Sequence, residues 1–413
     1  MCLSLAIALT ALTGCSDEAS GPGAKDPGAP PAARPEARAK AFDPPATFGE
    51  AVELPRDESV KSWGFAQSGP VLYERTAKAL DAYDTASGRR LWSSDLGRKD
   101  WYTGTEGGLD DDQRIPPVFA REGERTQVLF AFSDYTKGSG TEVDRTDVHL
   151  RAVDAGSGKV SWTTRLPAPT GTDVSDLEPA VVGTEDGTAV VRVLTSADES
   201  SEDSESAVTY AVDLSTRQVS WTQEGFAATA VDGGVVVGAQ VSDSAWFRPL
   251  DGWHADEEDL ALSGRAVADG AVLWTEAGRS SVDVESVGGG FFLAGSLRDS
   301  RTGKAVPGTG DSYLRCFYDQ RSVVVCGGKE TVRGVDTRSH EVLWTISGDD
   351  PSRKMPEVAA AWHGAVYAGT GPGNVVLDAR TGKDRSVFDG VNPFTVNEYA
   401  AVDIDMVVHP ATG

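Results

Sequence analysis

Two cysteines are spaced so that they could form a disulfide bond. Cys316 and Cys326 lie in RCFYDQRSVVVCGG, where two apolar runs flank the polar residues 319–322. If this segment is a hairpin centred on Arg321, Cys316 lies directly opposite Cys326. Opposed residues of a non-hydrogen-bonded pair have Cα atoms about 4.5 Å apart, which permits a disulfide with modest adjustment. An exported protein would allow the bond, and the alternative is a pair of buried thiols.

A third cysteine, Cys15, ends the opening sequence MCLSLAIALTALTGC. The apolar run from Leu3 to Leu12 is too short to span a bilayer, which takes about 20 residues, and is typical of a secretory signal peptide. The ending LTGC resembles the bacterial lipobox. That resemblance implies cleavage before Cys15 and a lipid on its thiol, so residues 1–15 are predicted to be a lipoprotein signal peptide. The alternatives are an ordinary signal peptide or a frayed apolar terminus.

Residues 16–46 are predicted to be a disordered tether. Pro, Ala, Gly and charged residues dominate this stretch, and its apolar residues show no period. A lipid-anchored domain needs such a spacer to stand clear of the membrane surface. The sequence therefore predicts a protein anchored to the bilayer through Cys15 and facing outside the cytoplasm, either in a periplasm or at the cell surface.

Other groups that could do chemistry are not spaced for it. The five histidines show no H-x-x-x-H pattern and there is no C-x-x-C, so a zinc site is not expected. No G-x-S-x-G elbow occurs, and GSGK at 156–159 lacks the spacing of a phosphate loop. The acidic stretch 107–113 lacks the order of a calcium loop, and 197–206 is interpreted as a solvated loop. We therefore predict no catalytic, cofactor-binding or metal-binding residues.

Composition limits the partners and the fold. The 413 residues include 63 Asp and Glu against 38 Lys and Arg, for a net charge of −25. This excess of negative charge argues against nucleic acid, because phosphate binding depends on clustered Lys and Arg. Hydrophobic residues make up 39%, enough for a core, and a chain of this length can form one large all-β domain.

A repeat spaces Asp, Gly and Trp four residues apart. Eight copies begin at residues 84, 154, 213, 266, 299, 336, 378 and 409, and several keep only part of the pattern. Arg217 and His340 occupy the Gly position of two copies. The residues assigned to the repeat are Asp84, Gly88, Trp92, Asp154, Gly158, Trp162, Asp213, Trp221, Trp274, Asp336, Trp344, Asp378 and Gly382.

Each copy reads as a β-hairpin with a defined turn. Asp can accept backbone amide hydrogen bonds in the turn, and Gly can adopt the positive φ that closes it. Trp on the following strand offers a large apolar surface for packing against a neighbouring unit. Two further apolar runs precede most copies, which gives about four short strands per unit, the pattern of a propeller blade.

The A-x-D-x-x-[TS]-G-x-x-x-W pattern resembles the pyrroloquinoline quinone (PQQ)-like repeat with its tryptophan-docking motif, over residues 47–413. The resemblance implies an all-β, eight-bladed β-propeller, with seven blades as the alternative. The last copy is truncated, whereas TFGEAVELP at 47–55 precedes the first full unit. We therefore expect this N-terminal segment to pair with the C-terminal strand and close the ring, which removes an exposed edge.

The resemblance fixes the fold but not the chemistry. Quinoprotein dehydrogenases with such repeats use vicinal cysteines and calcium ligands, and this sequence has no Cys-Cys pair. Similar repeats occur in lipoprotein scaffolds like the β-barrel assembly subunit of outer membranes. We predict a non-enzymatic binding or scaffold module for a protein or small ligand. A quinoprotein-like enzyme and a solute sensor working with a membrane partner are the alternatives.

One aromatic segment has two interpretations. Trp246, Phe247 and Trp253 lie in or beside FRPLDGWHADEEDLALS, residues 247–263, which precedes the copy that begins at residue 266. They could form an exposed aromatic patch for contact with a partner, or they could be buried inside the blade.

Overall fold

The computed structural model describes residues 39–57, 62–76, 78–95, 115–142, 145–167, 177–196, 205–242, 245–248, 252–310, 314–371 and 373–413. The chain divides into two units, Met1–Ala37 and Arg38–Gly413, and the described residues all belong to the second. Cys15, most of the expected tether, and the acidic segments 107–113 and 197–204 lie outside the described residues.

The second unit is built from short antiparallel strands. Among the described residues there is no helix, and so none that is long and apolar enough to cross a membrane. Seven sheets have four strands, each paired with its neighbour, and an eighth has three. We number these sheets 1 to 8 in chain order.

The first four sheets contain these strands. Sheet 1 has β1 (Ser62–Ser68), β2 (Val71–Thr76), β3 (Ala79–Asp84) and β4 (Arg90–Asp95). Sheet 2 has β5 (Val118–Glu122), β6 (Arg125–Thr136), β7 (Arg145–Asp154) and β8 (Val160–Leu166). Sheet 3 has β9 (Leu177–Glu185), β10 (Thr188–Ser196), β11 (Glu205–Asp213) and β12 (Gln218–Glu224). Sheet 4 has β13 (Phe226–Asp232), β14 (Val235–Gln240), β17 (Leu260–Ala266) and β18 (Val272–Arg279).

The other four follow the same order. Sheet 5 has β20 (Glu285–Gly288), β21 (Phe291–Leu293), β22 (Ser296–Asp299) and β23 (Ala305–Gly310). Sheet 6 has β24 (Arg315–Tyr318), β25 (Val323–Gly327), β26 (Thr331–Asp336) and β27 (Val342–Ser347). Sheet 7 has β28 (Glu357–Trp362), β29 (Ala365–Gly369), β30 (Asn374–Asp378) and β31 (Asp384–Phe388). Sheet 8 has β32 (Thr395–Val396), β33 (Ala400–Val402) and β34 (Val408–Pro410).

A small additional sheet is inserted in sheet 4. It consists of β15 (Trp246–Arg248), β16 (Gly252–His254) and β19 (Ser281–Val282). Trp253 is only 2% exposed and packs in the core shared by sheets 3, 4 and 5, with Phe247 packed against that core. Of the two interpretations of this segment, burial therefore applies to Trp253, whereas Trp246 and Phe247 are half-buried.

Strand position explains the sequence patterns. The middle strands of a sheet are covered on both faces by neighbouring sheets, so their sequences are continuously apolar. In β6, residues 128–132 are five consecutive buried residues. Outer strands are covered on one face only, and β12, with the sequence QVSWTQE, alternates between exposed and half-buried side chains.

The sheets form a closed ring, because each packs against the next and sheet 8 packs against sheet 1. The predicted all-β propeller is thus confirmed. At every interface, buried residues of the two sheets belong to one hydrophobic cluster. From sheets 1 and 2 round to sheets 8 and 1, members of these shared clusters are Leu80 and Phe130, Leu150 and Val191, Val190 and Phe226, Leu262 and Phe292, Leu297 and Val324, Val325 and Val366, Tyr367 and Ala401, and Val402 and Leu72.

The N-terminal segment closes the ring, as expected. Phe48 pairs with Ala411 and Val52 with Val408, so this segment lies where a fourth strand of sheet 8 would be. The contacts are isolated bridges rather than a regular strand. A count of eight blades depends on treating sheet 8 with these bridges as one blade, and that count stays a prediction.

Ordered contacts begin earlier than the expected tether boundary at residue 46. The backbone N–H of Phe42 donates to the carbonyl of Glu398 at 2.7 Å, and that of Ala46 donates to the carbonyl of Gly413 at 2.5 Å. The hydroxyl of Tyr367 donates to the carbonyl of Pro45 at 2.7 Å. Residues 42–46 therefore belong to the propeller, which their Pro- and Ala-rich composition did not indicate. We call residues 42–54 the N-terminal strap.

Candidate functional site

The Asp of the repeat has a structural role, because its side chain accepts hydrogen bonds in a turn. Oδ1 of Asp84 accepts hydrogen bonds from the backbone N–H of Ser87 at 2.9 Å and from its hydroxyl at 2.6 Å. Asp154 makes the same two bonds to Ser157 at 2.9 and 2.6 Å. A side-chain oxygen that accepts amides two or three residues ahead is typical of Asx-type turns. The hydrogen bonds of these carboxylates are therefore made within their own turns.

The protonation behaviour of these carboxylates agrees with that role. The Ser157 hydroxyl lowers the pKa of Asp154, and the Ser215 hydroxyl lowers the pKa of Asp213. The backbone N–H of Ser339 is the main cause of the lowered pKa of Asp336. For Asp378, burial would raise the pKa, but hydrogen bonds from Arg385 and Thr381 outweigh it. Hydrogen bonds to the charged form stabilise it, so these groups are anions at neutral pH.

The Gly position of the repeat is a left-handed backbone position. Its N–H donates to the carbonyl of the first repeat residue, for example Gly88 to Asp84 at 2.8 Å. Arg217 and His340 also have positive φ there, at 62° and 59°, a conformation that costs roughly 1–2 kcal/mol for a residue with a Cβ. The seven positions are Gly88, Gly158, Arg217, Gly270, Gly303, His340 and Gly382.

In four copies the Trp docks on the turn of the following sheet. The indole N–H of Trp92 donates to the carbonyl of Ala155 at 3.0 Å, and its ring covers Gly158, where an added Cβ would lie 2.6 Å from the ring. The same hydrogen bond joins Trp221 to Val267 at 2.8 Å, Trp274 to Ser300 at 2.9 Å, and Trp344 to Ala379 at 2.7 Å. The acceptor always follows the first repeat residue, a regularity that sequence reasoning missed although it is visible in the spacing.

Four interfaces depart from this pattern. The copies that begin at residues 299 and 378 have no Trp at that position, and the other two interfaces make a different contact. The guanidinium of Arg217 lies over the ring of Trp162 at 5.8 Å, so the cation takes the place of the Gly contact. At Gly88, an added Cβ would lie 2.6 Å from both the carbonyl oxygen of Glu53 and Cγ1 of Val52. The N-terminal strap therefore packs on Gly88 where a Trp of a preceding sheet would otherwise lie.

The two ends of the ring differ. Turns between the first and second strands and between the third and fourth strands share one end, which we call the turn face; it includes residues 85–89 and 319–322. The other end, the loop face, includes residues 328–330 and 389–394. On the turn face, connections between the described strands have at most five residues. On the loop face, β4 and β5 are separated by the 22 residues 96–117, and β14 and β17 by the 19 residues 241–259.

A groove opens on the loop face across sheets 6, 7 and 8. Its volume is about 690 Å³. Its apolar lining includes the half-buried Phe317 and Met355, with Val358 buried beneath them. Phe394 and Ile404, exposed at 45% and 46%, complete it from the sheet 8 side. We call this feature the loop-face groove.

Strand β24 supplies one wall of the groove. Because side chains alternate along a strand, Arg315 and Phe317 lie on one face of β24 and line the groove. Cys316 lies on the other face and packs in the core between sheets 5 and 6. The structure places Cys316 opposite Cys326, with Cα atoms 4.0 Å apart and the sulfurs bonded at 2.03 Å. This bond ties β24 to β25 immediately behind the groove.

The lining of the groove has more positive than negative side chains, whereas the chain as a whole has a negative net charge. Arg315 and Lys329 are exposed cations in the lining, and Glu357 is the one acidic lining residue. The neighbouring cavity on sheet 7, of about 480 Å³, is lined by charges of both signs, and its Arg353 is bonded to Asp384 at 2.5 Å. The loop-face groove combines an apolar floor with a rim on which two of the three charged lining residues are cations.

Histidines and carboxylates form no further site. Among the residues described, no three His, Cys, Asp or Glu side chains are grouped so that they could hold a metal ion. His363 contacts Asp43 of the N-terminal strap through Nδ1, and Arg321 contacts the same carboxylate at 2.9 Å. Nε2 of His340 lies 3.6 Å from Asp299. His149 stacks on Phe132, and burial lowers its pKa.

Comparison with known proteins finds solved structures of low sequence identity. No protein-family model matches the chain, and no curated protein matches it. Among solved structures, BamB from Moraxella catarrhalis is 14% identical, with a TM-score of 0.34, and the match covers 84% of this chain and 82% of that one. Quinohemoprotein alcohol dehydrogenase from Comamonas testosteroni is 12% identical, with a TM-score of 0.43 and coverage of 88% and 70%. The β-propeller expected from the repeat is confirmed by the sheets and their tryptophan contacts.

Proposed function

We propose that this chain is a membrane-anchored, extracytoplasmic lipoprotein whose propeller is a non-enzymatic binding or scaffold module for a partner protein. The observation that carries this proposal is the difference between the two faces. Short, uniform turns occupy the turn face, whereas connections of very different length meet on the loop face beside an apolar groove. Rigid scaffolds that position variable loops are typical of binding proteins.

The turn face is committed to holding the ring together. The repeat Asp residues and the glycines beneath the docked tryptophans all lie there. Asp43 of the N-terminal strap is also bound there, by Arg321 and His363 in the turns of sheets 6 and 7. A partner could therefore not cover this face without competing with closure of the ring. We assign partner binding to the loop face, where the connections vary in length and the loop-face groove opens.

The lipid anchor is the second part of the proposal. Cleavage before Cys15 would leave a Pro- and Ala-rich segment between the lipidated thiol and the N-terminal strap. Asp43 of the N-terminal strap is bound at the turn face, and the loop-face groove opens on the other face of the ring.

The anchor is tested by changing the cysteines of the leader. Cys15→Ala removes the thiol that would carry the lipid. We expect the variant to have no lipid mass and to move from the membrane fraction to the soluble fraction. Fractionation and intact-protein mass spectrometry measure both. Cys2→Ala is the matched control, because Cys2 would be discarded with the signal peptide and its loss should change nothing.

Two results would contradict the proposal. Full membrane retention of the Cys15→Ala protein, with no lipid mass on the wild-type chain, would remove the anchor. Quinone absorbance in the protein purified from its native membrane would contradict the non-enzymatic assignment.

A further inference from the structure

We propose that the loop-face groove binds an acidic peptide segment of the partner protein, with an apolar side chain seated in the groove and flanking carboxylates on Arg315 and Lys329. This inference deepens the proposed binding function and depends on it. The groove would be the place on the loop face where the partner binds.

The floor of the groove selects an apolar group. Phe394 and Ile404 are large apolar residues that leave nearly half of their surface exposed, and they face a lining that also contains Phe317 and Met355. Exposed apolar residues scattered singly need no explanation, but a contiguous apolar patch rimmed by polar residues marks an interaction site. Covering this patch is favourable because it removes apolar surface from water.

The rim selects the charge of the ligand. The chain as a whole has 63 acidic and 38 basic residues, yet the groove is lined by Arg315 and Lys329 against Glu357. An acidic segment would be repelled by most of this surface and attracted here. Arg is well suited to the contact, because its guanidinium can donate two parallel hydrogen bonds to one carboxylate.

The shape of the groove favours an extended segment. Its lining comes from successive sheets of the ring: Arg315 and Phe317 from β24, Glu357 and Val358 from β28, and Phe394 from the connection into β32. A few extended residues, at about 3.3 Å each, can follow such a line across the sheets. A single compact ligand would engage only one part of it.

The groove is held in shape before binding. The Cys316–Cys326 bond fixes the strand that presents Arg315 and Phe317, and Val358 belongs to the core shared by sheets 6 and 7. A site built on strands whose packing is fixed loses little conformational freedom on binding. The arrangement is therefore suited to a partner that supplies the flexible half of the interface.

The test uses three fluorescent peptides and the full chain. The first has the sequence Asp-Asp-Trp-Asp-Asp, the second replaces Trp by Ser, and the third replaces every Asp by Lys. Fluorescence anisotropy at about 50 and 300 mM salt measures binding. We expect the Asp-Trp peptide to bind, with affinity falling at the higher salt concentration, and we expect both other peptides to bind at least tenfold more weakly.

Variants locate the binding in the groove. Arg315→Glu should lower the affinity for the Asp-Trp peptide at least tenfold, because a cation at the rim becomes an anion. Phe394→Ala should lower this affinity severalfold. Arg338→Glu is the matched control, since Arg338 is exposed on the turn face in the same sheet; it makes the same change in charge and should leave affinity unchanged. Far-UV circular dichroism verifies that each variant is folded.

Failure of this inference is separable from failure of the proposed function. The inference is overturned if the Asp-Trp peptide does not bind, if the Lys peptide binds equally well, or if Arg315→Glu and Arg338→Glu have equal effects. None of these results alters the fractionation of the Cys15→Ala protein, which tests the anchor. Loss of the anchor would likewise leave peptide binding by the purified chain intact.

Discussion

The turn face and the loop face are made from the same strands, but they carry different kinds of sequence. On the turn face, parts of one arrangement recur: an Asp that accepts amides, a left-handed residue, and a Trp from the preceding sheet. On the loop face, connections range from the single residue between β12 and β13 to the 22 between β4 and β5. The comparison indicates that the residues repeated from sheet to sheet hold the ring together. The connections that vary in length lie on the face to which we assign binding.

The largest effect should come from removing a docked Trp. Trp344→Ala deletes the indole that covers Gly382 and donates to the carbonyl of Ala379. We expect a loss of about 3–5 kcal/mol in the free energy of unfolding, as for other large-to-small changes in packed regions. Urea denaturation followed by fluorescence of the remaining tryptophans measures it.

The control for Trp344 is Val387→Ala, which lies in the outer strand of sheet 7 and is 78% exposed. Its change should stay within about 0.5 kcal/mol, as is usual for surface substitutions. Equal losses in the two variants would mean that docking between sheets does not hold the ring.

A smaller effect is expected at the left-handed glycines. In Gly158→Ala the new Cβ would lie 2.6 Å from the ring of Trp92, at a φ of +71°. We expect a loss of about 2–4 kcal/mol, from the left-handed strain together with overpacking.

Gly123→Ala separates these two causes. Gly123 is also on the turn face, with a φ of +61°, but nothing lies within 4 Å of an added Cβ. Its loss should be limited to roughly 1–2 kcal/mol. If both variants lost the same amount, contact between the Trp ring and the turn would be irrelevant to stability.

The smallest effect concerns pH. Hydrogen bonds hold the pKa of Asp154 below its usual range, so its contribution to stability is present above the pKa of the unfolded chain. That contribution is lost as pH falls through the lower pKa of the folded state. The stability difference between the wild type and Asp154→Asn should therefore narrow between about pH 5 and pH 3. Thermal unfolding at a series of pH values measures this, and a difference that widened on acidification would contradict the turn assignment.

The local geometry of the fold could be predicted from the sequence wherever the residues that determine it lie within one hairpin. The partners Cys316 and Cys326 follow from equal distances to Arg321, and the left-handed positions of Arg217 and His340 follow from their places in the repeat. Docking of Trp on the next unit also follows, because a large apolar side chain on an outer strand needs a neighbour.

The remaining features depend on residues that are distant in the chain. The strap contact of Asp43 with Arg321 and His363 joins residues about 280 and 320 positions apart, so Pro and Ala in the strap suggested only disorder. The groove is hidden for the same reason: Arg315, Glu357 and Phe394 become neighbours only when the ring has formed. Their exposure depends on tertiary packing and cannot be read from hydrophobicity.

The division of labour between the two faces can be measured directly by site-specific photo-crosslinking in native membranes. A benzophenone side chain placed at Ile404 lies on the loop-face groove, and one placed at Arg338 lies exposed on the turn face. We predict a discrete crosslinked product of defined mass from position 404, lost when Arg315→Glu is added, and none from position 338. A product from position 338 with none from position 404 would contradict the account.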